Sequence, residues 1–357
     1  MLRRAALGPR VLLSLRATAS RRSADRRRRP PFAETSPARW RAAVVVAALL
    51  NLAAPTPSAA QDTGKGAAVA PDSGSGDQGP SSPSGSARRI VDRVEIELGY
   101  TYDDNVTLGR AHDEILWDQL LSLDVSASRA LRVDDNVRFV VTGLASGEKF
   151  SRYDGLSRLS GGLQAELQYR QSGAFDAITY AAFARGWLDN YASHLRDGSH
   201  YSLGVNARGA LTDRIGLLGE LAWSQRHAQS DVWDLTDWSA RVNLDYSLGN
   251  RGTLYLDGEY RRGDVVSDGH ATLVNVSLAK VFVLDDAFPD KQLFAYRSDA
   301  RSWVSTVGYN LPLGQRTSID FSWRRVESTP TATLSFDVQG SLRYVDNQYS
   351  VVLLKLF

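Results

Sequence analysis

Histidine and carboxylate side chains are the groups of this sequence that could carry acid–base chemistry, because cysteine is absent. A histidine beside a carboxylate can act as a general base whose ring the carboxylate orients. No serine stands in a nucleophile motif next to these histidines. We therefore predict no enzymatic activity, and we keep a hydrolase at the outer rim of the fold as a second alternative. The residues concerned are His112 with Asp113 and Glu114, His227 with Asp231 and Asp234, and the remaining histidines His194, His200 and His270.

Acidic residues also gather in one short stretch, where Asp103, Asp104 and Asn105 precede Asp113 and Glu114. Carboxylate and amide oxygens can hold Ca²⁺. The spacing does not match an EF-hand calcium loop, and acidic side chains are common in solvated turns. We therefore predict no metal site and no cofactor.

Charged residues recur at alternate positions between apolar ones from Arg93 onward. Arg241 and Asp245, for example, lie in a segment with Ala240, Val242 and Leu244. Such alternation predicts β-strands with one apolar and one polar face. Unpaired charges are too costly for a dry core, so we expect the polar faces to line a water-filled interior. The candidate lining residues are Arg93, Glu95, Glu97, Arg138, Glu166, Arg170, Arg208, Arg241, Asp245, Asp257, Glu259, Asp320 and Arg324.

The elements that would position these residues are fourteen predicted strands, joined alternately by short turns and longer loops. This pattern predicts an all-β fold, a transmembrane antiparallel up-and-down β-barrel with its short turns in the periplasm. Aromatic residues near many strand ends, Trp187 among them, suit the two lipid interfaces. If Asp285–Ser298 is a loop, the topology must be redrawn, and twelve strands is the runner-up. The predicted strands lie near 93–103, 115–129, 137–148, 157–170, 175–189, 199–211, 214–227, 236–248, 251–262, 271–284, 291–298, 301–311, 316–328 and 346–357.

The N-terminal region reads as an export leader followed by a linker. Arg39 and Arg41 precede an apolar segment that ends in Ser58-Ala59-Ala60, which predicts a secretory signal peptide cleaved after Ala60. Residues 61–90 are rich in Gly, Ser and Pro and are predicted to be disordered. The predicted domains are thus the leader 1–60, the linker 61–90 and the barrel 91–357.

The net charge of +2 comes from the leader, which contains twelve arginines. Without residues 1–60, 30 basic residues remain against 38 acidic ones. This acidic balance removes the main sequence support for nucleic-acid binding.

The last residues form an alternating strand that ends at Phe357. This ending resembles the C-terminal strand of bacterial outer-membrane barrels, with Tyr349, Val351, Leu353 and Phe357 in the alternate positions. Lys355 departs from that pattern. The resemblance implies an outer-membrane location, recognition by the barrel assembly machinery, and contact with outer-membrane lipid and lipopolysaccharide.

A second resemblance covers Leu98-Gly99-Tyr100-Thr101-Tyr102-Asp103-Asp104-Asn105-Val106-Thr107. This segment is similar to the start of the barrel in surface lipoprotein assembly modifiers and related uncharacterised proteobacterial barrels. It implies a fourteen-stranded barrel more than it implies lipoprotein export.

Taken together, these features favour a water-filled outer-membrane channel for ions or small solutes. The alternative is a barrel that exports or assembles a surface polysaccharide or lipoprotein with export-system partners. The sequence does not indicate whether residues 61–90 plug the lumen.

Overall fold

The computed structural model describes residues 91–171, 177–332, 334 and 342–357. The predicted leader 1–60 and the predicted linker 61–90 lie outside these residues. The strands are β1 (Val91–Asp103), β2 (Asp118–Arg132), β3 (Val137–Phe150), β4 (Arg158–Arg170), β5 (Thr179–Tyr191), β6 (Gly198–Thr212), β7 (Ile215–Ala228), β8 (Leu235–Ser247), β9 (Thr253–Gly269), β10 (Val281–Leu284), β11 (Phe294–Pro312), β12 (Thr317–Pro330) and β13 (Tyr344–Leu356).

Twelve of these strands form a closed antiparallel barrel. Each pairs with the next along the chain, β11 pairs with β9, and β13 returns to pair with β1 so that Leu98 lies opposite Leu353. Strand β10 stands outside the ring and pairs only with the first residues of β11. The prediction of a closed antiparallel barrel is confirmed, and of the two strand counts the runner-up, twelve, fits.

The count of fourteen was wrong between residues 271 and 311. The predicted strand 271–284 is divided, because Thr272 caps a short helix, α1 (Leu273–Leu278), by accepting a hydrogen bond from the Asn275 amide at 3.2 Å. Only Val281–Leu284 is a strand there. The predicted strands 291–298 and 301–311 are one continuous strand, β11, since no turn interrupts Asp299 and Ala300. Among the described residues, no helix is long and apolar enough to cross a membrane.

Alternation along each strand separates an apolar exterior from a polar interior. Leu163 on the exterior is 57% exposed, whereas Gln164 on the interior is 7% exposed. One barrel end, which we call the turn end, carries the short connections and both barrel termini. The other, the loop end, carries the longer loops and a band of exterior aromatic rings. Tyr260 and Trp303 lie 4.9 Å apart in this band.

Within the described range, the segment between β9 and β11, residues 270–293, is the connection that contains an α-helix and a strand of its own. We call it the cap. It contains α1 and β10. Strands β9 and β11 continue beyond the Tyr260–Trp303 pair to reach it, so their residues past this pair lie outside the aromatic band.

Candidate functional site

All thirteen predicted lining residues share the inward face of the barrel by strand register. Glu97, for instance, lies opposite Asp124, Arg241 lies between Glu220 and Glu259, and Asp320 lies opposite Asn310. The same register places them opposite to the exposed apolar residues of each strand. Their part in transport stays a prediction.

Many of the interior charges are paired with one another. Arg241 Nε lies 2.6 Å from Asp257 Oδ2, and Arg261 donates to both oxygens of Glu259 at 2.7 and 2.8 Å. Charge-assisted pairs of this kind satisfy polar groups that water reaches only in part. The interior is therefore a network of fixed charges of both signs.

Two interior arginines have amide partners instead. Arg185 Nε donates to Gln164 Oε1 at 2.8 Å, and Arg324 Nη1 donates to Gln348 Oε1 at 2.8 Å. The ion pairs of the described residues do not include either guanidinium. Each of these two guanidiniums therefore keeps a positive charge that no carboxylate of the described residues binds in an ion pair.

Sequence reasoning missed Arg185 and also Arg158, which pairs with Glu148 at 2.5 Å on the same face. The alternation of the strands contained the signal. Arg158 lies an even number of positions before Glu166 on β4 and so shares its face, and Arg185 lies opposite Gln164. Trp187, whose position near a strand end suggested an interface residue, faces the interior and stacks on His200 at 6.0 Å. Its register partner Gly162 leaves the room for that ring.

The cap crosses the loop end of the barrel. It leaves the ring at β9 and β11, which lie on the opposite side from β3 and β4 in the strand order. Its Phe288 is fully buried against Tyr153 of the β3–β4 loop, with ring centroids 4.9 Å apart. Gly155 of that loop approaches the Ala287 backbone so closely that a Cβ would lie 2.5 Å from the Ala287 Cα.

A second apolar cluster covers the base of the cap. Val232 and Trp233 of the β7–β8 loop are buried against Ala295, with Val281 and Val283 of β10 packed beside them. Burying large apolar side chains stabilises a contact by about 1.5–3 kcal/mol each. The cap is therefore docked on apolar surface from two separate loops.

Buried charges also hold the cap. Arg196 of the β5–β6 loop pairs with Asp285 of the cap and lies 4.0 Å from Asp268 of β9. The Arg196 guanidinium stacks over Trp233, 3.8 Å from the ring centroid. Burial and the neighbouring Asp285 carboxylate raise the pKa of Asp268 well above its usual range. Asp268 lies beyond the aromatic band, so this cluster belongs to the cap.

Glu114 joins the β1–β2 loop to the cap. Its Oε1 accepts hydrogen bonds from the His270 amide at 2.8 Å and from Asn275 Nδ2 at 3.2 Å, while its Oε2 accepts from the Ala111 amide. Glu114 is 3% exposed, and its hydrogen bonds join its own loop to the cap. Loops from four different hairpins thus converge on the cap.

Among the described residues, neither His112 nor His227 forms an ion pair with the acids considered as its catalytic partners. Glu114 contacts the cap, Asp113 lies 3.5 Å from His270, and Asp234 accepts from the Ala228 amide. His200 Nδ1 lies 2.9 Å from Asp189, whose other oxygen accepts from Ser160 at 2.6 Å. The carboxylate stands between the serine and the histidine, so in this group the ring is not placed to activate the hydroxyl.

The acidic residues of the first loop separate in the fold. Asp103 and Asp104 meet Asp346 of β13, with carboxylate oxygens within 4.8 Å of one another, whereas Asp113 and Glu114 turn to the cap. Gln348 donates to both Asp103 and Asp346, and Asn347 donates to Asp104. Sequence reasoning did not find Asp346, because it joins the group from the other end of the chain.

No protein-family profile matches this chain, and no curated protein matches it by sequence. Solved structures with a similar strand arrangement include an outer-membrane channel from Pseudomonas putida F1, with TM-score 0.48 and 10% identity over 78% of this chain and all of that one. The KdgM porin in complex with disordered oligogalacturonate has TM-score 0.38 and 11% identity over 74% of this chain and 99% of that one. An anion-selective porin from Comamonas acidovorans has TM-score 0.34 and 11% identity over 75% and 99%. The strand register of this chain defines a closed β-barrel with an apolar exterior and a charged interior.

Proposed function

We propose that this chain is a channel of the bacterial outer membrane for ions or small solutes, and that the cap closes its loop end. The observation that carries the proposal is a closed twelve-stranded barrel whose inward face is charged along its length. A barrel of this size lies between the side-chain-filled eight-stranded type and the open porins. A charged lumen of that width suits water and small polar solutes.

The cap makes conduction conditional. Its apolar clusters and the Arg196–Asp285 ion pair lie across the loop end, so solute passage requires the cap to move. The experiment is single-channel conductance of the chain starting at Gln61, carrying Ser193→Cys and Asp286→Cys. These two side chains hydrogen-bond across the loop–cap contact, and the chain has no other cysteine to interfere.

We expect conductance in the reduced protein and its loss on oxidation, since a disulfide would hold the cap in place. The single variant Ser193→Cys controls for the oxidant. Equal conductance in both redox states would contradict the role of the cap. Absence of conductance both in the reduced double variant and in the chain from Gln61 without cysteines would contradict the channel itself.

Membrane insertion by the assembly machinery is part of the same proposal, with export through the leader 1–60. Tyr349, Val351 and Leu353 lie on the exterior, and the Phe357 amide donates to Val94 at the barrel seam at 2.9 Å. Lys355 Nζ lies 5.1 Å from the Phe357 ring, a cation–π contact that accounts for a lysine in this strand. We expect Phe357→Ala to lower the amount of assembled barrel in cells while the purified protein still refolds.

We infer a structural role for residues 98–107, the segment that is similar to the start of the barrel in surface lipoprotein assembly modifiers. In the segment that carries it, Asn105 Oδ1 accepts from Thr107 and Gly109, and its amide donates to the Val345 carbonyl at 2.7 Å. These bonds fold the first loop onto β13. Holding the first loop against β13 accounts for the residues of this segment without any export activity.

A further inference from the structure

Among the described residues, two exterior arginines of the barrel take part in no ion pair. Arg262 of β9 and Arg301 of β11 lie directly opposite one another in the strand register, and both are exposed. They follow the Tyr260–Trp303 pair by one exterior position, at the edge of the aromatic band. Like charges directly opposite on a sheet repel and destabilise the pairing. The site therefore favours an anion that the chain itself does not supply.

The carboxylates nearest to this pair already have cations of their own. Asp264 and Asp299, the next exterior pair, are both bound by Lys280 of the cap at 2.8 and 2.6 Å. Partial burial lowers the pKa of Lys280, but the hydrogen bonds to these carboxylates raise it more, so the net shift is upward. Both carboxylates of this pair are thus engaged by a cation of the protein itself.

Glu327, the exterior residue opposite Trp303, is likewise engaged. It accepts from Arg325 at 2.7 Å and from Arg343 at 2.9 Å. Neither Arg262 nor Arg301 belongs to an ion pair among the described residues. The arginine pair differs from its neighbours because no carboxylate compensates it.

We propose that Arg262 and Arg301 bind a phosphate group of a lipid in the outer leaflet, that of the lipid A moiety of lipopolysaccharide. This inference rests on the proposed outer-membrane location, which places the loop end at the outer leaflet. Two guanidiniums offer paired N–H donors that match phosphate oxygens. The exposed rings of Trp303 and Trp238, which is the register partner of Arg262, supply apolar surface beside the headgroup.

The test is native mass spectrometry of the full purified chain in detergent with added bisphosphorylated lipid A. It compares the wild type with Arg262→Gln, Arg301→Gln and the double variant. Arg325→Gln is the matched control, because this arginine is also exterior and lies two positions from Trp323 but has its own carboxylate. Retained heat-modifiable mobility on gels shows that each variant is folded.

We expect each single substitution to weaken lipid A binding about tenfold and the double variant to lose it, because charge-assisted hydrogen bonds are lost. The affinity of the Arg325→Gln control for lipid A should stay within about twofold of the wild type, because an exposed ion pair contributes little. Wild type and double variant should bind dephosphorylated lipid A alike. Equal binding of lipid A by wild type and double variant would overturn the site. Inorganic phosphate or phosphatidylglycerol binding as tightly as lipid A would overturn the choice of ligand. None of these outcomes depends on conductance.

Discussion

Arg196 and Asp285 form a buried ion pair that ties the β5–β6 loop to the cap. Asp268 lies 4.0 Å from the same Nη2 atom of Arg196, so two neighbouring carboxylates share one cation. The arrangement is asymmetric, because loss of the arginine leaves two buried acids facing each other. Loss of one acid leaves a complete pair.

We expect Arg196→Gln to undock the cap. Asp285→Asn should weaken the docking of the cap by a smaller amount. Removing one partner of a buried ion pair costs about 3–5 kcal/mol. Asp285→Asn keeps Arg196 beside Asp268 and should cost about 1–3 kcal/mol, the range for one buried polar group left without its partner. Hydrogen exchange of residues 285–293 in the full chain measures both changes.

The matched control is Arg152→Gln, which removes an arginine from the same end of the barrel, where it stacks on Trp117 at 4.2 Å. It should leave exchange of the cap unchanged. Equal protection of the cap in Arg196→Gln and in the control would show that the ion pair does not hold the cap.

Docking of the cap should weaken as pH rises. Burial and Asp285 raise the pKa of Asp268 in the folded cap above its ordinary value of 3.8. A raised pKa means that the docked state binds the proton more tightly, so this contribution is fully present below 3.8 and is lost as pH rises through the raised value. Protection factors of the cap, corrected for intrinsic exchange, should fall with rising pH.

Asp268→Asn mimics the protonated side chain and should flatten that dependence. His194→Gln serves as the comparison, because His194 lies in the same loop as Arg196, yet it pairs with Asp197 and is exposed. A full pH dependence in Asp268→Asn would exclude Asp268 as its source.

The barrel could be predicted from the sequence because its physical rule is local. Side chains alternate between the two faces of a strand, so an apolar residue such as Leu163 and a polar one such as Gln164 indicate which face is which. This holds even for strands whose pairing partners are distant in the sequence. The short turns and the terminal strand then limit how the sheet closes. The strand count failed between residues 271 and 311, where a helix divides one predicted strand and β11 runs through two others without a turn.

The cap could not be predicted by the same rule. Val281-Phe282-Val283-Leu284 has the composition of a strand, and it is one, but its partner is the protruding start of β11. The surfaces that bury Phe288 and Val232 come from loops far apart in the sequence. A usable signal was present: large apolar residues such as Trp233 and Leu156 stand inside loops, where exposure would be costly.

Gly155→Ala should loosen the cap without touching any charge. A Cβ at this position would lie 2.5 Å from the Ala287 Cα, and backbone cannot give way as a flexible side chain can. Overpacking of this kind costs about 1–3 kcal/mol. We expect faster hydrogen exchange in the cap and a higher open probability in conductance records. Gly186→Ala is the control, since a Cβ there meets no atom within 4 Å.

The amide-paired arginines should set the ion preference of the lumen. Arg324 donates to Gln348 and Arg185 to Gln164, so each presents a positive charge without a bound carboxylate. Arg324→Gln should therefore lower the anion-to-cation permeability ratio by up to about fivefold, the equivalent of about 1 kcal/mol for one charge in a water-filled space. Arg185→Gln should act in the same direction. The reversal potential in a salt gradient measures this, with Arg301→Gln removing the same charge from the exterior as the control. An equal shift in that control would mean that overall charge, and not the lumen arginines, governs selectivity.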